Sequence, residues 1–184
     1  MRITILSTLF LLASLNLIGQ EAETFRSKPH CIAFVPPPHF EKTDGFNSST
    51  LVKYVERDSG ISFSINSNSI EISESNYCTL YNLNKAKNDD FLKKQIESQF
   101  QTTLDYFKTE CSYLRNIPCI KTQSSFTVSN MEMTLSMTNV SFSFFRCDHE
   151  TSLTLSLPSE AFKNNTGYYL SFFNRVGFPI KGLD

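Results

Sequence analysis

From Phe126 to Leu157 the apolar residues recur at every second position, and this period limits the fold more than any other feature of the chain. A spacing of two puts alternate side chains on opposite faces of an extended strand, so the segment reads as sheet with one face buried. Phe126 and Val128 begin the pattern. Met131, Met133, Leu135 and Met137 hold odd positions, Val140, Phe142 and Phe144 even ones, and Leu153, Leu155 and Leu157 odd ones again. The parity change at Thr138-Asn139 would turn the apolar face of a regular strand outward. It therefore predicts a β-bulge or a tight turn there. At strand spacing the Met131–Met137 stripe reads as core rather than as an adaptable methionine-rich binding surface. Cys147-Asp148-His149-Glu150 makes the turn before the last of these strands.

The N-terminal half carries shorter strand signals. Residues 31–35 are apolar and are halted by Pro36-Pro37-Pro38, which cannot donate ladder bonds and so belong at an edge or outside the sheet. Asp44-Gly45 and the run Asn47 to Thr50 are turn chemistry. Leu51 to Arg57 reads as a strand, Asp58-Ser59-Gly60 as a turn, and Ile61, Phe63 and Ile65 as a half-buried strand completing a hairpin. Residues 70–73 suggest a further short strand. From Asn88 to Leu114, Leu92, Ile96, Phe100, Leu104, Phe107, Cys111 and Leu114 recur at steps of three and four, which predicts one long amphipathic helix with its stripe in the core. Asn88 or Asp89 would cap it, and Asp89-Asp90 would complement the dipole of its first turn. Lys93, Lys94, Glu97, Gln101 and Asp105 give a polar face of mixed charge, unlike the basic face of a membrane-surface helix. A terminal helix is predicted from Pro158-Ser159, with Phe162, Leu170, Phe173 and Val176 inward and Gly177 as its C-cap. The resulting class is α+β: an antiparallel β-sheet with one long helix and a C-terminal helix packed on one face.

The first twenty residues address the compartment. Met1-Arg2 is followed by a nearly unbroken apolar run from Ile3 to Ile18, then Gly19-Gln20 and the acidic Glu21-Ala22-Glu23. This is the pattern of a secretory signal peptide over residues 1–20, too short for a membrane span of about 20 apolar residues. Residues 21–30 read as a flexible polar lead-in and residues 31–184 as a single α+β domain. After cleavage no second apolar stretch could span a bilayer. With 17 basic and 18 acidic residues the chain has a formal charge of −1. Nothing in that balance supports binding to nucleic acid.

Five cysteines remain in the mature chain: Cys31, Cys78, Cys111, Cys119 and Cys147. All five are disulfide candidates in an oxidising compartment, and their spacings do not fix the pairing. Cys111–Cys119 is favoured here because it would tie the helix end to the next strand across a short loop. No Cys-x-x-Cys occurs, so no zinc site is indicated. The three histidines, His30, His39 and His149, show no signature pairing them with a cysteine. Cys147 beside Asp148-His149-Glu150 is the one cluster that mixes a thiol with acid and base, and a solvated turn accounts for it. The chain contains no nucleophile elbow, zincin motif, phosphate-binding loop or dinucleotide fingerprint. No catalytic, cofactor-binding or metal-binding residues are therefore assigned, and no cofactor is implied. Asn47, Asn139 and Asn164 open Asn-x-Ser/Thr triplets, which a chain rich in Ser and Asn produces by chance and which carry no inference about the host.

The opening strand with its proline–aromatic step, Phe34-Val35-Pro36-Pro37-Pro38-His39-Phe40, followed by Asp44-Gly45-Phe46, resembles the PsbP/Mog1-like superfamily. The order of hairpin, helix, strands and closing helix extends that resemblance over most of the mature chain. It implies an α+β fold and a binding or accessory role rather than an enzyme, and it supplies no catalytic residue. The expectation is a secreted or periplasmic non-catalytic binding or accessory protein whose ligand is a protein or a small molecule. The alternatives are an inhibitor or immunity-type protein masking a partner enzyme outside the cytoplasm, and a thiol-dependent enzyme using Cys147 or another thiol with His149.

Overall fold

The computed structural model describes residues 23–45, 47–69, 77–130 and 133–179. The segment read as a signal peptide and the short strand predicted at 70–73 lie outside the described residues.

The described residues form ten strands and four α-helices. Strands β1 (Phe25–Ser27), β2 (Ile32–Phe34), β3 (Glu41–Thr43), β4 (Thr50–Glu56) and β5 (Ile61–Ser69) come first. Helices α1 (Tyr77–Leu83) and α2 (Lys85–Phe100) follow, then β6 (Leu104–Leu114), β7 (Ile117–Asn130), β8 (Met133–Arg146) and β9 (His149–Pro158). The chain closes with α3 (Ser159–Asn164), α4 (Thr166–Leu170), a 3-10 turn at Ser171–Arg175 and β10 (Val176–Gly177). Seven strands form an antiparallel sheet in the order β3-β4-β5-β9-β8-β7-β6, and a second, small sheet has the order β1-β2-β10. The class is α+β, as the sequence pattern requires.

The apolar face of the large sheet holds the main core. Val52, Tyr54, Ile61, Phe63, Ile65, Val140, Phe144, Leu153, Leu155 and Leu157 all lie buried there. The small sheet and the C-terminal helices cover them with Ile32, Phe34, Phe162, Phe172, Phe173 and Val176. Phe34 stacks on Phe63 with ring centroids 4.4 Å apart, and Phe173 reaches both Phe63 and Phe142. Burying each such side chain contributes about 1.5–3 kcal/mol. The turn between β4 and β5 falls at the predicted place, with Gly60 at φ 68°, a backbone region that favours glycine.

Several expectations are corrected, the first being that both helices pack on one face: the long helix lies over the face opposite the C-terminal helices. The predicted helix over 88–114 is two elements: α2 stops at Phe100, Gln101 adopts φ 51° as its left-handed cap, and the chain re-enters the sheet as β6. A bulge between Leu104 and Tyr106 breaks the strand period, and β6 lies at the sheet edge with its burial uneven. Its apolar residues therefore fall at helix-like steps without forming a helix. Because α2 begins at Lys85, Asp89 and Asp90 sit in its second turn, not its first. At Thr138-Asn139 neither bulge nor turn occurs, and β8 pairs without a register shift with both β7 and β9. The parity changes because the two faces of β8 are covered at different heights. Val140 and Phe144 enter the main core, whereas Met137 lines the opposite face beneath α2. The terminal helix is broken at Asn165, and Val176–Gly177 pairs with β2 instead of capping a helix. Within the polar lead-in, Phe25–Ser27 pairs with β2.

Candidate functional site

Strand alternation gives the large sheet a second face, opposite the main core, and its central part is polar. Ser62, Ser64 and Asn66 come from β5, Thr154 and Ser156 from β9, Asn139 and Ser141 from β8, and Thr122 and Ser124 from β7. Helix α2 roofs this face with Ile96, Gln99 and Phe100. The space between is a cleft of about 300 Å³, with Lys53 its one charged residue. Burial pushes the Lys53 ammonium below its ordinary pKa. At the other end of α1 and α2 a wider hollow of about 650 Å³ is lined by Tyr77, Leu80, Tyr81, Phe91, Leu92 and Glu150, among others.

The roof is attached lightly. No residue of α2 is buried. Phe100 stacks on Phe126 at 4.6 Å, and Glu97 accepts a hydrogen bond from the Leu104 N–H at 3.1 Å. Lys85 donates to Thr109 on β6 at 2.5 Å, and a further tie is Asp89. It accepts from Tyr81 at 2.7 Å, from Lys85 at 2.5 Å and from Thr109 on β6 at 2.5 Å. Burial pushes the Asp89 carboxyl up, but these three donors outweigh it and hold the group below the usual carboxylate range. Asp89 is thus an anchor of the helix layer, while Asp90 pairs with Lys94 on the outer surface.

Inside the cleft two polar atoms are buried without a protein partner: the Ser124 hydroxyl oxygen and Asn139 Oδ1. Their residues are 1% and 7% exposed. They stand directly opposite each other on β7 and β8. Leaving such a group unpaired costs about 1–3 kcal/mol, so the site favours any molecule that satisfies both. The neighbours show no comparable need: Thr50 donates to Asn66 Oδ1 at 2.8 Å, and Asn66 Nδ2 donates to Ser64 at 3.3 Å. Burial also removes Asn139 from consideration as a glycosylation acceptor. Sequence reasoning missed this site because Ser, Thr and Asn at alternate strand positions look the same whether they face water or a roof.

The cysteines resolve differently from the favoured pairing. Cys31 and Cys147 form the disulfide, with Cα atoms 6.2 Å apart, and Cys78, Cys111 and Cys119 are free. Cys111 lies opposite Ile120 and Cys119 opposite Ser112 on adjacent strands. The two cysteines are thus one register position out of step, and their side chains point to opposite faces. With Cys147 bonded, the thiol beside His149 is not available as a nucleophile. His149 instead donates from Nδ1 to the Cys147 carbonyl at 2.7 Å and faces the His30 ring at 4.4 Å. Burial and then the neighbouring Cys111 push the Cys78 thiol up to about 12, and burial first of all pushes Cys119 up to about 12. Neither is an activated thiolate. Glu150 accepts from the Tyr77 hydroxyl at 2.5 Å, so Asp148-His149-Glu150 does not converge. Among the described residues no group of three or more His, Cys, Asp or Glu could hold a metal ion. None of the described helices is long and apolar enough to cross a membrane.

An antiparallel sheet with a small sheet and short helices on its apolar face, and a long helix over its other face, defines an α+β class of fold. The chain has the PsbP/Mog1-like fold. It is similar to cyanobacterial PsbP from Synechocystis sp. PCC 6803, with TM-score 0.60 and 9% identity over 88% of this chain and 95% of that one. It is also similar to the Saccharomyces cerevisiae Ran-binding protein Mog1p, with TM-score 0.51 and 9% identity over 85% and 94% of the two chains. A Bacteroides thetaiotaomicron protein matches at TM-score 0.55 and 8% identity over 89% of this chain and 51% of its own length. No family model and no curated protein matches the sequence.

Proposed function

We propose that this is a secreted or periplasmic, non-catalytic binding or accessory protein that takes its ligand in the cleft beneath α2. The observation that carries the reading is the pair of buried, unpartnered polar atoms on Ser124 and Asn139, aimed into a cleft with no nucleophile–base pair beside it. The N-terminal apolar run and the Cys31–Cys147 disulfide support an extracytoplasmic setting. The fold supports binding over catalysis by analogy alone.

Native mass spectrometry of the protein purified from its own source tests this. The parent should start near Glu21 and carry a bound mass, and Asn139→Leu should lose that mass while keeping the disulfide. A mature chain that still begins at Met1 overturns the localisation. A bound mass that survives unchanged in Asn139→Leu and in Ser124→Ala overturns the site.

A further inference from the structure

The lining of the cleft under α2 narrows the chemistry of its occupant. Of the sixteen described residues that line the cleft, twelve are Ser, Thr, Asn or Gln, three are apolar, and none is acidic. A cationic ligand finds no carboxylate there. An anionic ligand finds a single ammonium, on Lys53, and no guanidinium fork. An acyl chain would leave the hydroxyl grid unpaired on every strand it crossed. An extended peptide bound by its backbone needs an open strand edge. β7 and β8, which carry Ser124 and Asn139, are interior strands whose backbone groups are already committed to both neighbours. Recognition here is therefore made by side-chain hydroxyls and amides.

We infer that the cleft holds one or two rings of a neutral sugar, with Ser124 and Asn139 as the central hydrogen-bonding pair. The inference rests on the cleft being the ligand seat. Asn139 Oδ1 is an acceptor and needs a donor from the ligand, while the Ser124 hydroxyl both donates and accepts. Sugar hydroxyls match this, because each is donor and acceptor at once. Strands lie about 4.8 Å apart, and same-face residues along a strand are about 6.8 Å apart. The sheet therefore presents hydroxyls as a two-dimensional grid on the scale of a pyranose ring. The roof adds two apolar side chains, Ile96 and Phe100, beside Gln99, and with Met137 of β8 they offer an apolar surface to the C–H face of such a ring. A volume of about 300 Å³ suits a mono- or disaccharide.

The test is an NMR titration of the secreted, disulfide-intact protein with methyl β-glucoside, N-acetylglucosamine and maltose, and with decanoate and inorganic phosphate as controls. At least one sugar should shift the Asn139 side-chain amide and the backbone amides of Ser124 and Phe100, and neither control should. Asn139→Leu and Ser124→Ala should each weaken that sugar about tenfold, or about 1.4 kcal/mol. The shift map on the parent needs no variant, so a misfolded variant cannot mask the result. Silence with every sugar up to about 50 mM, tens of times a 1 mM Kd, overturns the sugar assignment. If native material still carries a mass that depends on Asn139, the seat survives that failure. Shifts caused by decanoate or phosphate at these residues also overturn the sugar class. Sugar shifts confined to residues away from the cleft overturn the seat itself.

Discussion

Replacing both Cys31 and Cys147 by alanine should remove a large share of the protein's stability. The bridge links residues 116 apart in sequence, tying the start of β2 in the small sheet to the β8–β9 turn of the large one. In the chain-entropy description a closed loop of that size restricts the unfolded chain by about 16 cal/mol/K, or about 4.9 kcal/mol at 25 °C. Native disulfides deliver about 2–5 kcal/mol, so the expected loss is about 3–5 kcal/mol. Both cysteines have φ 50°. Alanine is as strained there as cysteine, so the backbone contribution cancels between parent and variant. Changing both residues also avoids leaving a lone thiol to exchange with Cys78 or Cys111. For a chain of 150–250 residues each kcal/mol moves Tm by about 2–4 °C, which predicts a fall of about 6–20 °C. Urea unfolding should show the midpoint falling while the two transitions remain cooperative. A double variant within about 1 kcal/mol of the parent would mean that the bridge joins parts already held together, and the loop-closure reasoning would fail.

Phe63→Ala should cost about 3–5 kcal/mol, because Phe63 is 0% exposed in the main core. Phe100→Ala should cost only about 0.5–1.5 kcal/mol, the worth of one aromatic stack at a residue 37% exposed; equal losses in chemical denaturation would contradict the lightly held roof. Burial first, and then the facing His149, lower the pKa of His30, so the folded state binds fewer protons than the unfolded chain. That contribution is complete above about pH 6.5 and is lost as pH falls through the folded value. Melting curves should therefore show a decline below pH 6.5 that is shallower in His30→Gln, and identical slopes would refute it. Alkylation at pH 8 should label the exposed Cys111 well before Cys78 and Cys119, whose thiols are raised to about 12. Mass mapping that finds Cys119 labelled first would place it outside the core.

The strands were legible wherever one face is buried and the other is not. Ile61, Phe63 and Ile65, or Leu153, Leu155 and Leu157, announce themselves because every second side chain enters one core. β6 was illegible for the opposite reason. It is an edge strand with a bulge that buries only Leu104, Thr109 and Leu114, while its apolar Leu104, Phe107, Cys111 and Leu114 fall at steps of three and four that imitate a helix. The dense Thr102-Thr103-Leu104-Asp105-Tyr106-Phe107 run, rich in β-branched and aromatic residues, was the available signal of a strand. The parity switch in β8 was visible, but its cause lies outside the strand: two different layers cover its two ends. The same limit hid the cleft. Alternation identifies the polar face, and only tertiary structure shows that α2 covers it. The cysteine pairing failed on register, because eight positions along a hairpin do not reveal which face each residue takes.

The slight anchoring of α2 has a consequence for how the molecule opens. One side of the large sheet is sealed by interlocked aromatic side chains, and the other is covered by a helix that buries none of its own residues. Amide protons of α2 should therefore exchange through a local opening that leaves the strands protected, at a free energy well below that of global unfolding. The opening needs only a swing of α2, because α1 stays held by Tyr77, which is buried with Ile120 and Phe145. Access to the hydroxyl-lined space would then be governed by this partial unfolding, and anything seated there would be enclosed by a cover that the core does not have to break to release.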